Sequence, residues 1–276
     1  MTDDLLFDVP EPPTPVERLL ALAGDVTRHN DALYLFRPTA TSGSALGAHA
    51  DSAAQLAHAA LTAVQAVHDQ QLYASADLID AMVRIKQVTY LSGEAARHLA
   101  EAQAAVTAAA LADPELTGLP DTAAEQIQLA QELTALAPEA AVESATGIAR
   151  ETHRRRPSAT TATDGLATAE LSTLHAVARG HVVMARSQGR EYVHSRDGSV
   201  RIGTLRSLEG KGLIVRAPAT AAPAFHGSPA QDRIRLTVRG AAAVAALLTL
   251  PPAAPAAAPA PAMPAALTTT GPARGR

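Results

Sequence analysis

The chain has 276 residues, a formal net charge of −4 and no cysteine. This length allows one or two domains with their own cores, and the lack of cysteine excludes disulfides, thiolate metal sites and cysteine nucleophiles. The N-terminus is acidic, unlike a secretory signal, and the most apolar run, 241–250, is far shorter than the roughly 20 residues that cross a bilayer. We therefore expect a cytoplasmic protein that does not associate with membranes.

Positive and negative charges are separated along the chain. Residues 1–150 contain seven basic and twenty acidic side chains, whereas residues 151–249 contain fourteen basic and seven acidic ones. Binding to phosphates requires clustered cations, so only the second part is suited to nucleic acid. The alternative is that the two parts carry surfaces of opposite charge that dock on each other.

The first part of the chain predicts an antiparallel helical bundle at 14–156. Residues 1–13 are expected to form a flexible arm, or alternatively a docking peptide, because the arm contains Leu5-Leu6-Phe7. A helix should begin at Thr14, since Pro15 fits its first turn and Glu17 completes a capping box. Apolar spacing and breaks predict further helices at about 47–70, 75–111, 121–136 and 138–156.

The helix predicted at 75–111 has a stripe of apolar and small residues at steps of three and four. The stripe consists of Leu78, Met82, Ile85, Thr89, Ser92, Ala96, Leu99, Ala102 and Val106. Such a stripe is typical of a helical bundle or of a dimer seam. We therefore expect the N-terminal region to mediate self-association, as a homodimer, or binding to a partner.

A polar linker at 157–166 separates this region from a basic domain at 167–250. Its first elements are predicted as a helix at 168–179 and a strand at 181–184. Residues 185–198 are compatible with a helix or a hairpin, and a hairpin turn at Arg196-Asp197-Gly198 favours an extended segment.

The remaining elements of the basic domain alternate between helix and strand. They are a helix over 200–211, a strand at 213–216, a wing tip at 217–230, a return strand at 233–237 and a last helix at 237–248. The Pro/Ala-rich tail at 251–276 is expected to be disordered. The fold class is thus mainly α, with a smaller α+β domain.

A short amphipathic helix that ends at a glycine and leads directly into an apolar strand is predicted by the spacing of Leu205, Leu208, Gly212, Leu213 and Ile214. This pattern, with the return strand, resembles the winged helix-turn-helix domain of bacterial transcriptional regulators over about residues 167–248. The family places its second helix at the segment that is ambiguous here. The resemblance implies a winged-helix fold, binding to double-stranded DNA and transcription regulation, by analogy of fold.

The exposed face of the expected recognition helix at 200–211 is small and nearly neutral, with Gly203, Ser207 and Gly210. Such residues make few base contacts, so surrounding cations should bind phosphates and the wing should enter the minor groove. The candidate DNA-binding residues are Arg186, Arg190, Arg196, Arg201, Thr204, Arg206, Ser207, Lys211, Arg233 and Arg235.

Motifs of catalysis are missing from the sequence. It has no glycine-rich phosphate loop, no nucleophile elbow and no zinc-protease signature, and its ten histidines are scattered. We expect no enzyme activity, no metal site and no cofactor. The alternative function is a scaffold or assembly protein, in which the long helix pairs with a partner and the winged helix docks a protein.

Overall fold

A computed structural model describes residues 12–113, 115, 118–155, 165–223 and 228–249. Most of the predicted arm, most of the predicted linker and the Pro/Ala-rich tail lie outside these residues. The described part of the chain is mainly helical, with a small four-stranded antiparallel sheet. The mainly α class expected from the sequence is therefore confirmed.

The first part of the described chain contains five helices. They are α1 Pro15–Leu35, α2 Gly43–His68, α3 Ala76–Ala112, α4 Asp121–Thr134 and α5 Ala137–Arg155. All five predicted helices are present, although α2 starts at Gly43, four residues before its predicted start. None of the described helices combines the length and the apolar character needed to cross a membrane.

The start of α1 is the capping box that the sequence predicts. The hydroxyl of Thr14 accepts a hydrogen bond of 3.2 Å from the backbone N–H of Glu17, and the Glu17 carboxylate accepts one of 2.8 Å from the N–H of Thr14. Two backbone donors that the helix leaves without partners are thereby satisfied. Ser75 caps α3 through its hydroxyl, which accepts a 3.2 Å hydrogen bond from the N–H of Leu78.

The second part of the chain builds the sheet and three further helices. Their bounds are α6 Thr168–Ala178, β1 Val182–Ser187, β2 Arg190–Ser195, α7 Ile202–Gly210, β3 Ile214–Ala221, β4 Gln231–Leu236 and α8 Val238–Leu248. The strand order is β2-β1-β4-β3. Each helix and strand predicted in this part is present, and β1, β3 and β4 are longer than predicted.

The ambiguous segment at 185–198 is a β-hairpin, but its turn is not where the sequence predicts it. The turn consists of Gln188 and Gly189, and Val182 pairs with Ser195 at the open end of the hairpin. Arg196-Asp197-Gly198 instead forms a bend after β2. The misplacement arises because Gln188 adopts a positive φ of 50°, a conformation that is uncommon outside Gly, Asn and Asp.

An apolar core continues from α1, α2, α3 and α5 into the sheet and the helices around it. Leu19 and Val26 of α1, Leu174 of α6, Val182 of β1 and Leu208 of α7 belong to this one cluster and are fully buried. Such packing typically gives a buried leucine or valine about 1.5–3 kcal/mol of stabilisation relative to its exposed state. The sheet is therefore positioned against the helical region by shared apolar contacts.

The stripe on the long helix packs within the chain. Leu78, Ile85, Leu99 and Val106 are buried, and α3 lies against α2, α4 and α5. These residues therefore pack against other helices of the same chain.

Candidate nucleic-acid interface

The hairpin β1–β2 positions the first arginines of the candidate site. Gln188 and Gly189 in its turn have φ of 50° and 74°, the left-handed conformation that two-residue hairpin loops use. The register places Arg186 opposite Glu191, and the Arg186 guanidinium donates a 3.3 Å hydrogen bond to the Glu191 carboxylate. Arg190 directly follows the turn and is exposed.

Glu191 accepts hydrogen bonds from arginines of three elements. Besides Arg186 of β1, Arg216 of β3 donates at 2.8 Å and Arg206 of α7 donates at 3.2 Å. We call Arg186, Glu191, Arg206 and Arg216 the Glu191 cluster. Hydrogen bonds from Arg216, Arg206 and Arg186 lower the pKa of Glu191 to about 2, so its carboxylate is ionised at neutral pH.

The cations of the Glu191 cluster differ in exposure. The side chain of Arg216 is 20% exposed, whereas those of Arg186 and Arg206 are 69% and 68% exposed. A guanidinium carries five N–H donors, and each of the two exposed groups donates one hydrogen bond to Glu191. The carboxylate thus orients two guanidinium groups that keep donors for an external anion.

A surface depression of about 650 Å³ lies beside the Glu191 cluster. Its lining residues are Arg186, Gly189, Arg190, Glu191, Ile202 and Arg206. Three arginines and one glutamate leave this lining with an excess of two positive charges. Guanidinium groups match phosphate oxygens in charge and geometry, so the depression is suited to a phosphate.

Helix α7 borders the depression and behaves as its apolar spacing predicts. Leu205 and Leu208 are buried in the core, while Gly203 and Gly210 are exposed. Arg201 precedes the first turn and is exposed, and Thr204 is half-buried. The exposed charges of α7 are Arg206 and Glu209, which cancel each other in net charge.

Ser207 and Lys211, two of the sequence-predicted contacts, bind Glu170 of α6. The Lys211 ammonium lies 2.7 and 2.8 Å from the two Glu170 carboxylate oxygens, and the Ser207 hydroxyl donates at 2.7 Å. Hydrogen bonds from Lys211, the backbone of Ala167 and Ser207 lower the pKa of Glu170 to about 2. These two residues join α7 to α6.

Arg233 and Arg235 of β4 lie toward α1 and away from the hairpin turn. The Arg233 guanidinium is 2.5 and 2.8 Å from the Asp31 carboxylate oxygens and 2.6 Å from the Gly180 carbonyl. The Arg233 and Arg235 side chains are only 13% and 20% exposed. Neither residue is part of the Glu191 cluster.

Arg196 also lies apart from the cluster, because it follows the end of β2 opposite the hairpin turn. It is exposed and borders a small cavity of about 140 Å³ that Asp31 and Arg233 also line. Of the ten predicted residues, Arg186, Arg190 and Arg206 line the depression, and Arg201 and Thr204 lie within two residues of its lining residue Ile202. The other five do not line the depression.

Several candidate residues bind partners that the sequence pattern does not identify. These partners are Glu191, Glu170 and Asp31. Arg216, which the sequence pattern does not identify either, also binds Glu191. A turn predicted at Gln188 and Gly189 would have placed Arg186 opposite Glu191, because residues on paired strands follow a fixed register. Asp31 and Arg233 are 202 positions apart, and no local pattern connects them.

Among the described residues, no group of three or more histidine, aspartate or glutamate side chains is arranged to hold a metal ion. Comparison with protein-family models, curated proteins and solved structures finds no match to this chain. Function must therefore be inferred from the geometry of the site.

Proposed function

We propose that residues 167–250 bind double-stranded DNA as a winged-helix domain and that the protein regulates transcription. In this proposal α7 is the recognition helix, and β3 with β4 forms the wing. The strand order supports it, because β4 pairs with both β1 and β3. The strand β2 takes the position of the family's second helix.

The observation that carries the proposal is the Glu191 cluster at the hairpin turn and beside α7. Arg186 and Arg206 are held by one ionised carboxylate, and Arg190 and Arg201 are exposed nearby in the chain. Fixed guanidinium groups next to a small, nearly neutral helix face suit contacts with the DNA backbone. Such contacts set position and orientation, whereas base-edge contacts set sequence preference.

The proposal assigns different roles to the candidate residues. Arg186, Arg190, Arg201, Thr204 and Arg206 would contact DNA, and Arg216 would hold Glu191 in place. Ser207, Lys211 and Arg233 would support the fold, because buried carboxylates already bind them. Arg235 lies in the same strand as Arg233, outside the Glu191 cluster, and would not contact DNA. Arg196 would contact DNA only if the duplex extended along β2.

Fluorescence anisotropy of the full chain with a labelled random-sequence duplex tests this proposal directly. Affinity should fall steeply as salt rises from about 50 to about 200 mM, with a log–log slope of roughly −0.9 for each phosphate contact. Binding without salt dependence, or no binding at the lower salt concentration, would contradict the proposal.

The second candidate function is a scaffold that pairs through the long helix, and a specific surface favours it. Ile79, Val83 and Tyr90 of α3 are 53%, 58% and 67% exposed and follow one another along one side of the helix. This surface would also serve the homodimer that the sequence predicts. Sedimentation of the full chain, compared with an Ile79→Ser and Val83→Ser variant, tests it, since a monomer in both cases excludes pairing there.

A further inference from the structure

A cavity of about 530 Å³ lies between α1, β4 and the start of α8. We call it the α1–α8 cavity, and the end of α6 completes its wall. Leu20, Ala21, Val177, Ile234 and Ala241 supply apolar surface. Its volume falls in the range of sites that enclose small organic molecules.

Arg235 contributes a charge to this apolar wall. Its side chain is 20% exposed, and its Nε is buried with no hydrogen-bond partner among the described residues. Its Nη2 lies 3.5 Å from the Thr220 hydroxyl and 3.9 Å from an Asp31 oxygen, both long contacts. Arg233 binds the same Asp31 at 2.5 and 2.8 Å, so Asp31 is already neutralised.

The other charged groups of the wall have closer partners. Asp25 pairs with Arg28 at 3.0 Å, and Glu17 is held by the N–H and hydroxyl of Thr14 at 2.8 and 2.9 Å. Burial, and then the neighbouring Arg28, lower the pKa of Arg235, as expected for a largely buried cation that is short of acceptors. A carboxylate in the cavity would supply the missing acceptors.

Gly24 keeps the cavity open on the side of α1. It lies in the interior of a 21-residue helix and in the cavity wall. A Cβ atom at this position would meet nothing within 4 Å, so no packing contact requires glycine. Glycine disfavours a helix relative to alanine, and its effect here is to leave space.

We propose that the α1–α8 cavity binds a small organic molecule with an apolar body and a single carboxylate, with Arg235 as the partner of that carboxylate. The body would contact α1, α6 and α8, and the carboxylate would accept hydrogen bonds from the guanidinium. The bound molecule would thereby connect the helical region to β4. This inference does not depend on DNA binding.

Calorimetric titration of the full chain with benzoate, octanoate and decanoate tests the proposal. Benzyl alcohol, octanol and decanol are the uncharged counterparts. At least one carboxylate should bind about tenfold or more tightly than its alcohol. Arg235→Gln should abolish this preference, whereas Arg239→Gln, which removes an exposed arginine outside the cavity wall, should retain it.

Gly24→Leu tests the location of the site, and a Cβ at this position would meet nothing within 4 Å. The leucine side chain would enter the open space and should weaken binding about tenfold or more. Gly93→Leu is the matched control, because Gly93 also lies within a helix with nothing within 4 Å of a Cβ and is remote from this cavity wall. The proposal is overturned if no carboxylate binds, or if binding survives Arg235→Gln and Gly24→Leu unchanged.

Discussion

Arg233 of β4 forms a two-point ion pair with Asp31 of α1, with N–O distances of 2.5 and 2.8 Å. Asp31 is 6% exposed at its side chain and Arg233 is 13% exposed. The acidic first part of the chain and its basic second part therefore meet at a buried pair. This pair lies next to the loop after α6, since Arg233 also binds the Gly180 carbonyl at 2.6 Å.

Asp31→Asn should destabilise the protein by about 3 kcal/mol, because it leaves the Arg233 cation buried without a counter-charge. The free energy of unfolding by urea measures this loss. Asp25→Asn is the control: its ion pair with Arg28 is exposed, so its loss should cost less than about 1 kcal/mol. Adding Arg233→Met to Asp31→Asn should recover part of the loss. Equal effects of the two aspartate variants would show that the buried pair contributes no more than the surface pair.

Gly180→Ala should destabilise the contact between α1 and the loop after α6. Gly180 has a φ of 73°, and a Cβ there would lie 2.6 Å from the Thr27 hydroxyl oxygen. We expect a loss of about 2 kcal/mol, from backbone strain and steric clash together. Thermal or urea unfolding measures it.

Two further variants separate these two causes. Gly189 has a φ of 74°, close to that of Gly180, but a Cβ there would meet nothing within 4 Å. Gly189→Ala should therefore lose only the stability that backbone strain costs, about 1 kcal/mol. Thr27→Ala in the Gly180→Ala background should relieve the clash and recover part of the loss. If Gly189→Ala is as destabilising as Gly180→Ala, the close approach to Thr27 has no energetic role.

Local chemistry accounts for what the sequence predicts correctly. The Thr14 and Glu17 capping box marks the start of α1, and the spacing of Leu205 and Leu208 identifies the buried face of α7. Each of these features depends on residues within one or two helical turns.

The parts that sequence reasoning misses are non-local. The cation Lys211 and the hydrogen-bond donor Ser207 belong to the predicted recognition helix. Both bind Glu170, which lies about 40 positions earlier in the chain. Arg216 and Arg206 meet at Glu191 only because the β1–β2 hairpin turns at Gln188 and brings that carboxylate to α7. Charge patterns indicate that arginines cluster, but the partner carboxylates depend on tertiary packing.

His29 should make stability fall as the pH decreases through the range of its titration. The residue is 3% exposed, and burial, followed by the nearby His49, lowers the pKa of His29 from 6.5 to about 4. The unfolded chain therefore binds a proton that the folded chain excludes between these values. The free energy of unfolding should decrease by up to about 1.4 kcal/mol per pH unit there.

His29→Gln should remove most of this slope between pH 6.5 and about 4. His58→Gln, a change at an exposed position of α2, is the control and should keep it. Urea unfolding at several pH values provides the measurement. A slope that persists in His29→Gln would place the responsible group elsewhere, with His49, whose pKa burial also lowers, as the next residue to replace.

Glu170 should make the stability of the protein depend on pH over a lower range than His29 does. Its pKa is lowered from 4.5 to about 2, chiefly by Lys211, so its contribution is present above pH 4.5 and is lost as the pH falls toward 2. Glu170→Gln should therefore be less stable than the natural chain at neutral pH, and the difference should shrink below pH 4.5. Unfolding curves of the two proteins at matched pH measure this. A difference that stays constant down to pH 2 would show that ionisation of Glu170 is not its source.

The arginines around Glu191 should determine how strongly DNA binding depends on salt. The double variant Arg186→Gln and Arg206→Gln lacks the two exposed guanidinium groups of the Glu191 cluster. In a plot of log affinity against log salt concentration, its slope should be shallower by roughly 0.9 for each phosphate that is no longer neutralised. Arg37→Gln with Arg150→Gln removes the same total charge from exposed positions of the helical region. Anisotropy titrations across salt concentrations should show a reduced slope in the first variant and an unchanged slope in the second. Equal reductions in both would mean that net charge alone governs binding, and the assignment of the DNA surface to this cluster would be wrong.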